Sequence, residues 1–183
     1  MPTYRQILYQ IVFGTKYRNN TLKYSCHEEM YKYIWGILKN KKCFLYKIGG
    51  TENHIHLISD LHPSIPLANL IKDVKLATYD WIKEKGIYRN FDGWQDGYGA
   101  FTYSIKEKAS LIKYVDNQKE HHKKETFVEE FKRLLEEHGI EFNERYLFYI
   151  QPLSGFGAMG WILQKLSKKS LCTSASSLWF SVN

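Results

Sequence analysis

The segment CFLYKIGGTENHIHLISDL, residues 43–61, decides the fold. Residues 43–49 and 54–61 are rich in the aliphatic and aromatic side chains that strands favour, and the glycine-containing connection between them suits a β-hairpin. Successive side chains of a strand point to opposite faces, so His54 and His56 are expected to share one face. The hairpin therefore predicts two imidazoles aimed at a common point.

The segments around this hairpin predict alternating strands and helices. Residues 4–13 have the pattern of a largely buried strand. Ser25 and Glu28 have the spacing of a capping box, which predicts that a helix follows. After the hairpin, a helix with Pro66 in its first turn leads to a last strand at residues 100–103. The order βαββαβ predicts a ferredoxin-like, or RRM-like, α+β fold, in which an antiparallel sheet carries helices on one face.

Further helices are predicted after the last strand. Ser104 and Glu107 form a capping box, which starts a helix that we expect to run through Lys119 or beyond. Thr126 and Glu129 repeat this spacing and start another helix. The predicted fold is therefore a ferredoxin-like sheet followed by C-terminal helices.

Length and composition indicate how the chain is organised. The 183 residues suit one domain, expected over residues 1–150, and residues 151–183 contain glycine and serine with little periodicity, which predicts a poorly ordered tail. Three widely spaced cysteines without a CxxC pair favour a reducing compartment over a zinc or redox site. No signal-peptide pattern is present, and no stretch approaches the roughly 20 apolar residues that span a bilayer. We therefore expect a cytoplasmic protein without a membrane partner.

Charge and aromatic content make nucleic acid the first partner to consider. A net charge of +7, a pI near 9.1 and 16% aromatic residues suit a surface that neutralises phosphates and stacks on unpaired bases. An ordinary basic protein has a similar composition, so the motifs must decide between the two.

The spacing of Tyr114 and Gln118 predicts a nucleophile beside the two imidazoles. On a helix, side chains four residues apart lie one above the other. Attack by a tyrosine on a phosphodiester forms a phosphotyrosine link and frees a hydroxyl, which can later reverse the step without ATP. The phenol has an ordinary pKa of about 10, so such a site needs a cation or a base.

A divalent metal, magnesium or manganese, is the expected cofactor. His54, His56 and Gln118 would be an all-neutral ligand set, which leaves the full charge of the ion to act on the phosphate. Magnesium prefers oxygen ligands whereas imidazoles suit later transition metals, so manganese is expected to support activity at least as well. His121 and His122 are either part of a solvated helix end or contacts to phosphate or metal.

Several motifs resemble those of a known family, the single-tyrosine HUH transposases of small IS200-like insertion sequences, which include the REP-associated tyrosine transposases. The resemblance covers residues 3–150 in the expected order. It rests on ENHIHL (52–57), WQDGYGAF (94–101), YVDNQ (114–118) with the following His121-His122, FVEEF (127–131) and ERYL (144–147).

The resemblance implies roles for the four site residues. His54 and His56 would be the HUH metal ligands, Gln118 the third ligand, and Tyr114 the nucleophile that forms a 5′-phosphotyrosine link to single-stranded DNA. Family members cut and rejoin single strands next to DNA hairpins, commonly as homodimers in which the tyrosine helix can pack against the partner's histidines. A bacterial or archaeal, nucleoid-associated protein without a nucleotide cofactor is implied. The family's better-known dimers have glycine before the tyrosine helix, whereas this chain reads FTYSI at 101–105, so the swapped arrangement stays open.

Basic side chains near the predicted site are candidates for contacts to DNA. Those expected to contact the backbone are Lys72, Lys75, Lys106, Lys113, Lys123 and Lys124. Those considered for hairpin and base recognition are Arg5, Lys16, Tyr17 and Arg18. Two other functions stay open: a catalytically silent module that binds structured DNA or RNA, and a nicking enzyme that does not rejoin its product.

Overall fold

A computed structural model of the chain describes residues 4–147. Strands and helices alternate as βαββαβ, and C-terminal helices follow. The strands are β1 (Leu8–Gly14), β2 (Leu45–Gly50), β3 (His54–Ser59) and β4 (Gly99–Tyr103). The helices are α1 (His27–Asn40), α2 (Leu67–Lys85), α3 (Lys108–Asp116), α4 (Gln118–His121), α5 (Phe127–Glu137) and α6 (Glu144–Leu147).

The strands form one antiparallel sheet with the order β2-β3-β1-β4. The predicted hairpin is present as the β2–β3 pair, and β3 also pairs with β1 in the centre of the sheet. In this register His54 lies opposite Gly14 and His56 lies opposite Val12. The predicted ferredoxin-like α+β fold is confirmed.

The two faces of the sheet are covered by different helices. Side chains of α1 and α2 pack on one face, where Ile55 and Leu57 of β3 contribute to the main core. On the opposite face, Ile58 packs with Leu111 and Val115 of α3. The histidines alternate with Ile55 and Leu57 along β3, so they lie on the face of α3, where residues of α5 contact them.

The predicted helix starts are correct for the C-terminal helices and wrong for α1. Side-chain capping boxes form at Ser104, before a short 3-10 turn that leads into α3, and at Thr126, before α5. Ser25 forms no such box because it lies inside a 3-10 turn, and Cys26 is the residue that precedes α1. Pro66 likewise precedes α2 and does not lie within its first turn.

The helix that carries Tyr114 ends earlier than predicted. Asn117 has φ −91° and ψ 9°, so α3 stops at Asp116 and the short α4 begins at Gln118. Asparagine is a poor residue for helix interiors because its side chain competes for backbone hydrogen bonds. Tyr114 and Gln118 therefore lie on two different helices.

The remaining predictions about organisation concern the chain ends and the cysteines. The chain divides into two units after Phe142, whereas the predicted boundary at residue 150 and the predicted tail over 151–183 lie outside the described residues. Cys26 and Cys43 are free thiols, and Cys172 is not among the described residues. None of the helices within residues 4–147 has the length and apolar composition needed to cross a bilayer.

The contact between β2 and α3 predicts the effect of a side chain at Gly49. A Cβ at this position would lie 2.8 Å from the backbone oxygen of Val115, which cannot move without shifting α3. We expect Gly49→Ala to lower the free energy of unfolding by about 1–3 kcal/mol. Gly36→Ala is the control, because within residues 4–147 nothing beyond its chain neighbours and its own helix backbone lies within 4 Å of its new Cβ, and alanine favours a helix. Urea denaturation measures both, and equal stability of the two variants would contradict the close packing at Gly49.

Candidate active site

His54 and His56 lie on the same face of β3, as the alternation predicts. Both side chains are fully buried, and their ring centroids are 5.1 Å apart. The Nε2 atoms of both rings are 3.4 Å from one oxygen, Oε2 of Glu130. The two imidazoles therefore converge on a buried carboxylate from the helix α5.

Glu130 is the centre of the cluster. Its side chain is fully buried, and its Oε2 is also 3.1 Å from Nε2 of His122. Burial by itself would raise the pKa of the carboxyl, but the nearby His56 and the hydrogen bond with His122 outweigh burial and hold the pKa below its ordinary value. Glu130 is therefore ionised in a region closed to solvent.

Glu130 was not predicted from the sequence, although a signal for it exists. The buried stripe of α5 includes Phe127, Glu130, Phe131 and Leu134, at the spacings of three and four that place side chains on one helix face. A carboxylate on the apolar face of a helix is almost never buried unless it is paired. Its position in the stripe indicates a partner inside the protein.

Gln118 lies against the same cluster in spite of the helix break. Its Oε1 is 2.9 Å from Nε2 of His122 and 3.2 Å from Nε2 of His54. Its Nε2 donates to Oε1 of Glu130 at 2.8 Å. The amide oxygen therefore faces the imidazoles, while the amide nitrogen fixes the carboxylate.

The ring of His54 is held in a defined orientation. Its Nδ1 is 2.7 Å from Oδ1 of Asn53 and 2.9 Å from Oγ1 of Thr51, and its face stacks on Phe127 with centroids 4.3 Å apart. Burial, followed by the neighbouring His56, lowers the pKa of His54 well below its ordinary value. A neutral ring that donates from Nδ1 to Asn53 presents the Nε2 lone pair to the cluster.

Not all buried polar atoms at His56 have hydrogen-bond partners within the described part of the chain. Its Nδ1 is 3.0 Å from the amide nitrogen of Gln10, while its buried Nε2 and the amide oxygen of Gln10 have no hydrogen-bond partner among residues 4–147. A half turn of the Gln10 amide would place its oxygen where it accepts from Nδ1–H of His56. The Nε2 lone pair would then be available to a cation inside the cluster.

The donor set fits a divalent metal. His54, His122 and Glu130 each offer one ligand atom, and these atoms lie within 4.8 Å of one another. Imidazole nitrogens and carboxylate oxygens are common ligands of divalent transition metals. The expected ligand set of His54, His56 and Gln118 stays a prediction, and the structure adds the charged Glu130 and the imidazole of His122 to the same cluster. The sequence left two readings of His122 open: part of a solvated helix end, or a contact to phosphate or metal.

Tyr114 lies next to the cluster and shares Glu130 with it. The half-buried phenol donates to Oε1 of Glu130 and accepts from Nη2 of Arg133 at 3.1 Å. Burial and the charge of Glu130 raise the pKa of Tyr114, while Arg133 acts in the opposite direction. The phenol is therefore protonated, with a carboxylate placed to receive its proton.

Arg133 is a second residue that the sequence did not reveal. It is anchored by two hydrogen bonds to the carboxylate of Glu125, both at 3.0 Å, and by one to Glu137 at 2.9 Å. His121 bonds to the same Glu125, and its ring centroid lies 5.4 Å from that of Tyr114. The adjacent histidines thus have different positions, with His121 beside the tyrosine and His122 in the cluster around Glu130.

The basic residues proposed to contact DNA have varied environments. Lys16, Lys72, Lys106, Lys113 and Lys124 are exposed. Exposed lysines are accessible to DNA, and the predicted contacts from these residues stay predictions.

Other basic candidates are engaged with protein groups. Arg5 lies 3.7 Å from Asp60, Lys123 pairs with Glu120 at 2.7 Å, and Nζ of Lys75 donates to a backbone oxygen of Gln95 at 2.9 Å. Tyr17 and Arg18 are half-buried in a short turn after β1. Contacts from Arg5, Lys75 or Lys123 to DNA would have to replace these interactions.

The fold and this cluster define an α+β protein with a candidate divalent-metal centre beside a tyrosine. The profile of the family described as "Transposase IS200 like" matches residues 3–118. The chain therefore belongs to the IS200-like transposase family. No curated protein sequence matches the chain significantly.

Two solved structures show a similar fold. A candidate transposase from Deinococcus radiodurans R1 is 19% identical, with a TM-score of 0.51 over 64% of this chain and 95% of that one. A REP-associated tyrosine transposase bound to a REP hairpin is 13% identical, with a TM-score of 0.51 over 86% of this chain and 96% of that one. At these identities the likeness concerns the fold.

The cluster predicts that metal binding stabilises the protein through Glu130. At a manganese concentration of 100 times Kd, a ligand that binds only the folded state adds about 2.7 kcal/mol to the free energy of unfolding. We expect Mn²⁺ to raise the Tm of the wild-type protein, EDTA to reverse the rise, and Glu130→Gln to abolish it. Glu136→Gln is the matched control, because this glutamate is exposed on the same helix. A Tm rise of equal size in Glu130→Gln would exclude the cluster as the metal site.

Proposed function

We propose that this transposase cuts and rejoins single-stranded DNA at hairpin-flanked ends through a 5′-phosphotyrosine intermediate on Tyr114, with the help of a divalent metal. The observation that carries the proposal is the position of Glu130. One oxygen of its buried carboxylate meets the phenol of Tyr114, and the other meets three imidazoles. A nucleophile and a candidate metal centre thus share one charged group.

The proposed chemistry follows from this arrangement. The phenol of Tyr114 loses its proton to solvent through Glu130, and its Oη attacks the scissile phosphorus and forms a bond with it. The bond between phosphorus and the 3′ oxygen breaks, and the departing oxygen takes up a proton from solvent as a free 3′ hydroxyl. A 3′ hydroxyl can reverse the reaction because the phosphotyrosine link conserves the energy of the phosphodiester.

The two oxygens of Glu130 allow it to serve two purposes. Its Oε2 faces the imidazoles, while its Oε1 faces Tyr114 and the amide of Gln118. The residues that would hold the metal are His54, His56, His122, Gln118 and Glu130. A bound divalent ion would polarise the scissile phosphate and stabilise negative charge on its oxygens.

Arg133 is proposed to stabilise the nucleophile. Its guanidinium donates to the phenolic oxygen and is fixed by Glu125 and Glu137, so it is already oriented before a phenolate forms. Preorganised donors of this kind stabilise developing charge without reorganisation. Glu130 and Arg133 would therefore act on the same oxygen, one by removing the proton and the other by stabilising the anion.

DNA and a second subunit are the proposed partners of this site. A hairpin-bearing single strand as substrate is supported by the family and by the similar fold of a transposase bound to a REP hairpin. Tyr114 lies beside His56 of its own chain, with ring centroids 5.9 Å apart, which supports a site formed within one subunit. We further propose that the protein is a homodimer that acts on bacterial or archaeal nucleoid DNA.

Covalent trapping tests the proposed nucleophile. The protein is incubated with labelled, hairpin-bearing single-stranded DNA and Mn²⁺ or Mg²⁺, and adducts are separated on a denaturing gel. We expect an adduct with the wild-type protein and none with Tyr114→Phe, because phenylalanine has no oxygen to attack phosphorus. Tyr103→Phe is the matched control, since both tyrosines pack against the same buried residues of the sheet and α3.

The same assay separates the alternatives. Tight binding without an adduct under either metal would support a silent binding module and contradict the proposal. Cleavage without rejoining, when a free 3′ hydroxyl strand is supplied, would indicate a nicking enzyme. Because imidazoles dominate the proposed ligand set, Mn²⁺ should support adduct formation at least as well as Mg²⁺, and activity with Mg²⁺ alone would contradict that ligand set.

The pH dependence of adduct formation tests Arg133. The pKa of Tyr114 is raised, so the fraction of phenolate and the rate of attack should increase with pH. Arg133→Met removes an interaction that lowers this pKa, so we expect its profile to shift to higher pH and its rate near pH 7 to fall by about tenfold. Arg133→Lys keeps the positive charge, so its pH profile should lie between those of the wild-type protein and Arg133→Met. An unshifted profile in Arg133→Met would show that Arg133 does not act on the phenol.

A further inference from the structure

A cavity of about 510 Å³ lies between α2 and the loop formed by residues 92–98, and none of the residues of the histidine cluster lines it. Its volume is within the range of roughly 300–1,000 Å³ that is typical of small-ligand sites. Cationic and aromatic side chains contribute much of its wall: Lys16, Lys72, Lys75, Tyr79, Trp94 and Tyr98. None of these residues belongs to the chemistry proposed above.

The wall of this cavity is fixed before any ligand binds. Nε1 of Trp94 donates to Oγ1 of Thr78 on α2 at 2.9 Å. Lys75, also on α2, donates to the backbone oxygens of Gln95 and Gly97 and lies over the ring of Phe13. These contacts tie the loop to the helix, so little ordering is needed on binding.

Backbone hydrogen bonds at the end of β1 connect the cavity wall to the histidine cluster. The backbone nitrogen of Gln95, in the cavity wall, donates to the oxygen of Gly14 at 2.9 Å. The next residue, Thr15, donates to the oxygen of Asn53 at 2.7 Å, and Asn53 in turn orients His54. The loop that lines the cavity is therefore connected through backbone hydrogen bonds to the residue that orients His54.

The groups available in the cavity match the parts of a nucleotide. Lys16 and Lys72 are exposed and form no ion pair within residues 4–147, so their charges are available to phosphates. Tyr98 is 36% exposed and offers an aromatic ring to a base. Asp92 and Asp96 repel phosphate and accept hydrogen bonds from exocyclic amino groups, so they favour a base on their side of the cavity.

We propose that this cavity holds one unpaired nucleotide of the bound DNA strand. Its base stacks on Tyr98, and the flanking phosphates contact Lys16 and Lys72. The inference rests on the proposed function, because single-stranded DNA is taken to be the substrate of the neighbouring site. The cavity would then select which position of the strand reaches Tyr114.

Binding of single-stranded DNA to the full chain carrying Tyr114→Phe, which prevents cleavage, tests the proposal. The probes are short fluorescein-labelled oligodeoxynucleotides, and a second set contains 2-aminopurine, whose fluorescence falls when it stacks on an aromatic ring. Because stacking of one base is worth about 1–3 kcal/mol, Tyr98→Ala should weaken binding by about fivefold or more and reduce the quenching. Tyr98→Phe keeps the ring and should bind like the parent.

Charge is tested in the same way with Lys72→Ala. This variant should weaken binding. It should also lower the slope of log Kd against log salt by about the amount that corresponds to the loss of one phosphate contact. Two controls should bind like the parent: Tyr4→Ala, whose side chain is 90% exposed, and Lys85→Ala at the far end of α2. The Tm of each variant shows whether it is folded.

The outcomes separate this inference from the proposed function. Parent-like affinity, quenching and salt dependence in folded Tyr98→Ala and Lys72→Ala would overturn the nucleotide site and leave DNA cleavage at Tyr114 intact. If the parent binds no single-stranded DNA, both the nucleotide site and the proposed function are contradicted. Selective weakening in the two cavity variants supports the site.

Discussion

The structure of the candidate site depends on one buried charge, the carboxylate of Glu130. A buried carboxylate costs several kcal/mol unless opposite charges and hydrogen bonds compensate it. Here hydrogen bonds to the carboxylate come from Tyr114 of α3, from Gln118 of α4 and from His122, while Nε2 atoms of His54 and His56 on β3 lie 3.4 Å from it. Satisfying this one group therefore fixes the positions of three separate segments around the sheet.

The same constraint explains how a tyrosine with a raised pKa can be a candidate nucleophile. Glu130 keeps the phenol of Tyr114 protonated, yet it is also the group placed to accept that proton. Arg133 opposes the rise by donating to the same oxygen. A divalent ion among the imidazoles would neutralise part of the carboxylate charge and so weaken its hold on the phenol. Metal and nucleophile are thus coupled through a single side chain.

Sequence reasoning predicted the parts of this site that depend on local patterns. Strand alternation placed His54 and His56 on one face, and the capping boxes at Ser104 and Thr126 located the starts of the C-terminal helices. Glu130 and Arg133 were missed because their importance arises only when α5 packs beside β3 and α3. The cavity beside α2 was missed for the same reason, since its wall depends on contacts between a loop and a distant helix.

Anomalous diffraction from crystals grown with Mn²⁺ would test most directly whether the Glu130 cluster is a metal centre beside Tyr114. We expect one strong manganese peak bonded to Glu130 and to Nε2 of at least two of the three imidazoles, on the side of the carboxylate away from the phenol. A saturated crystal in which manganese binds elsewhere, with the cluster unchanged, would contradict it.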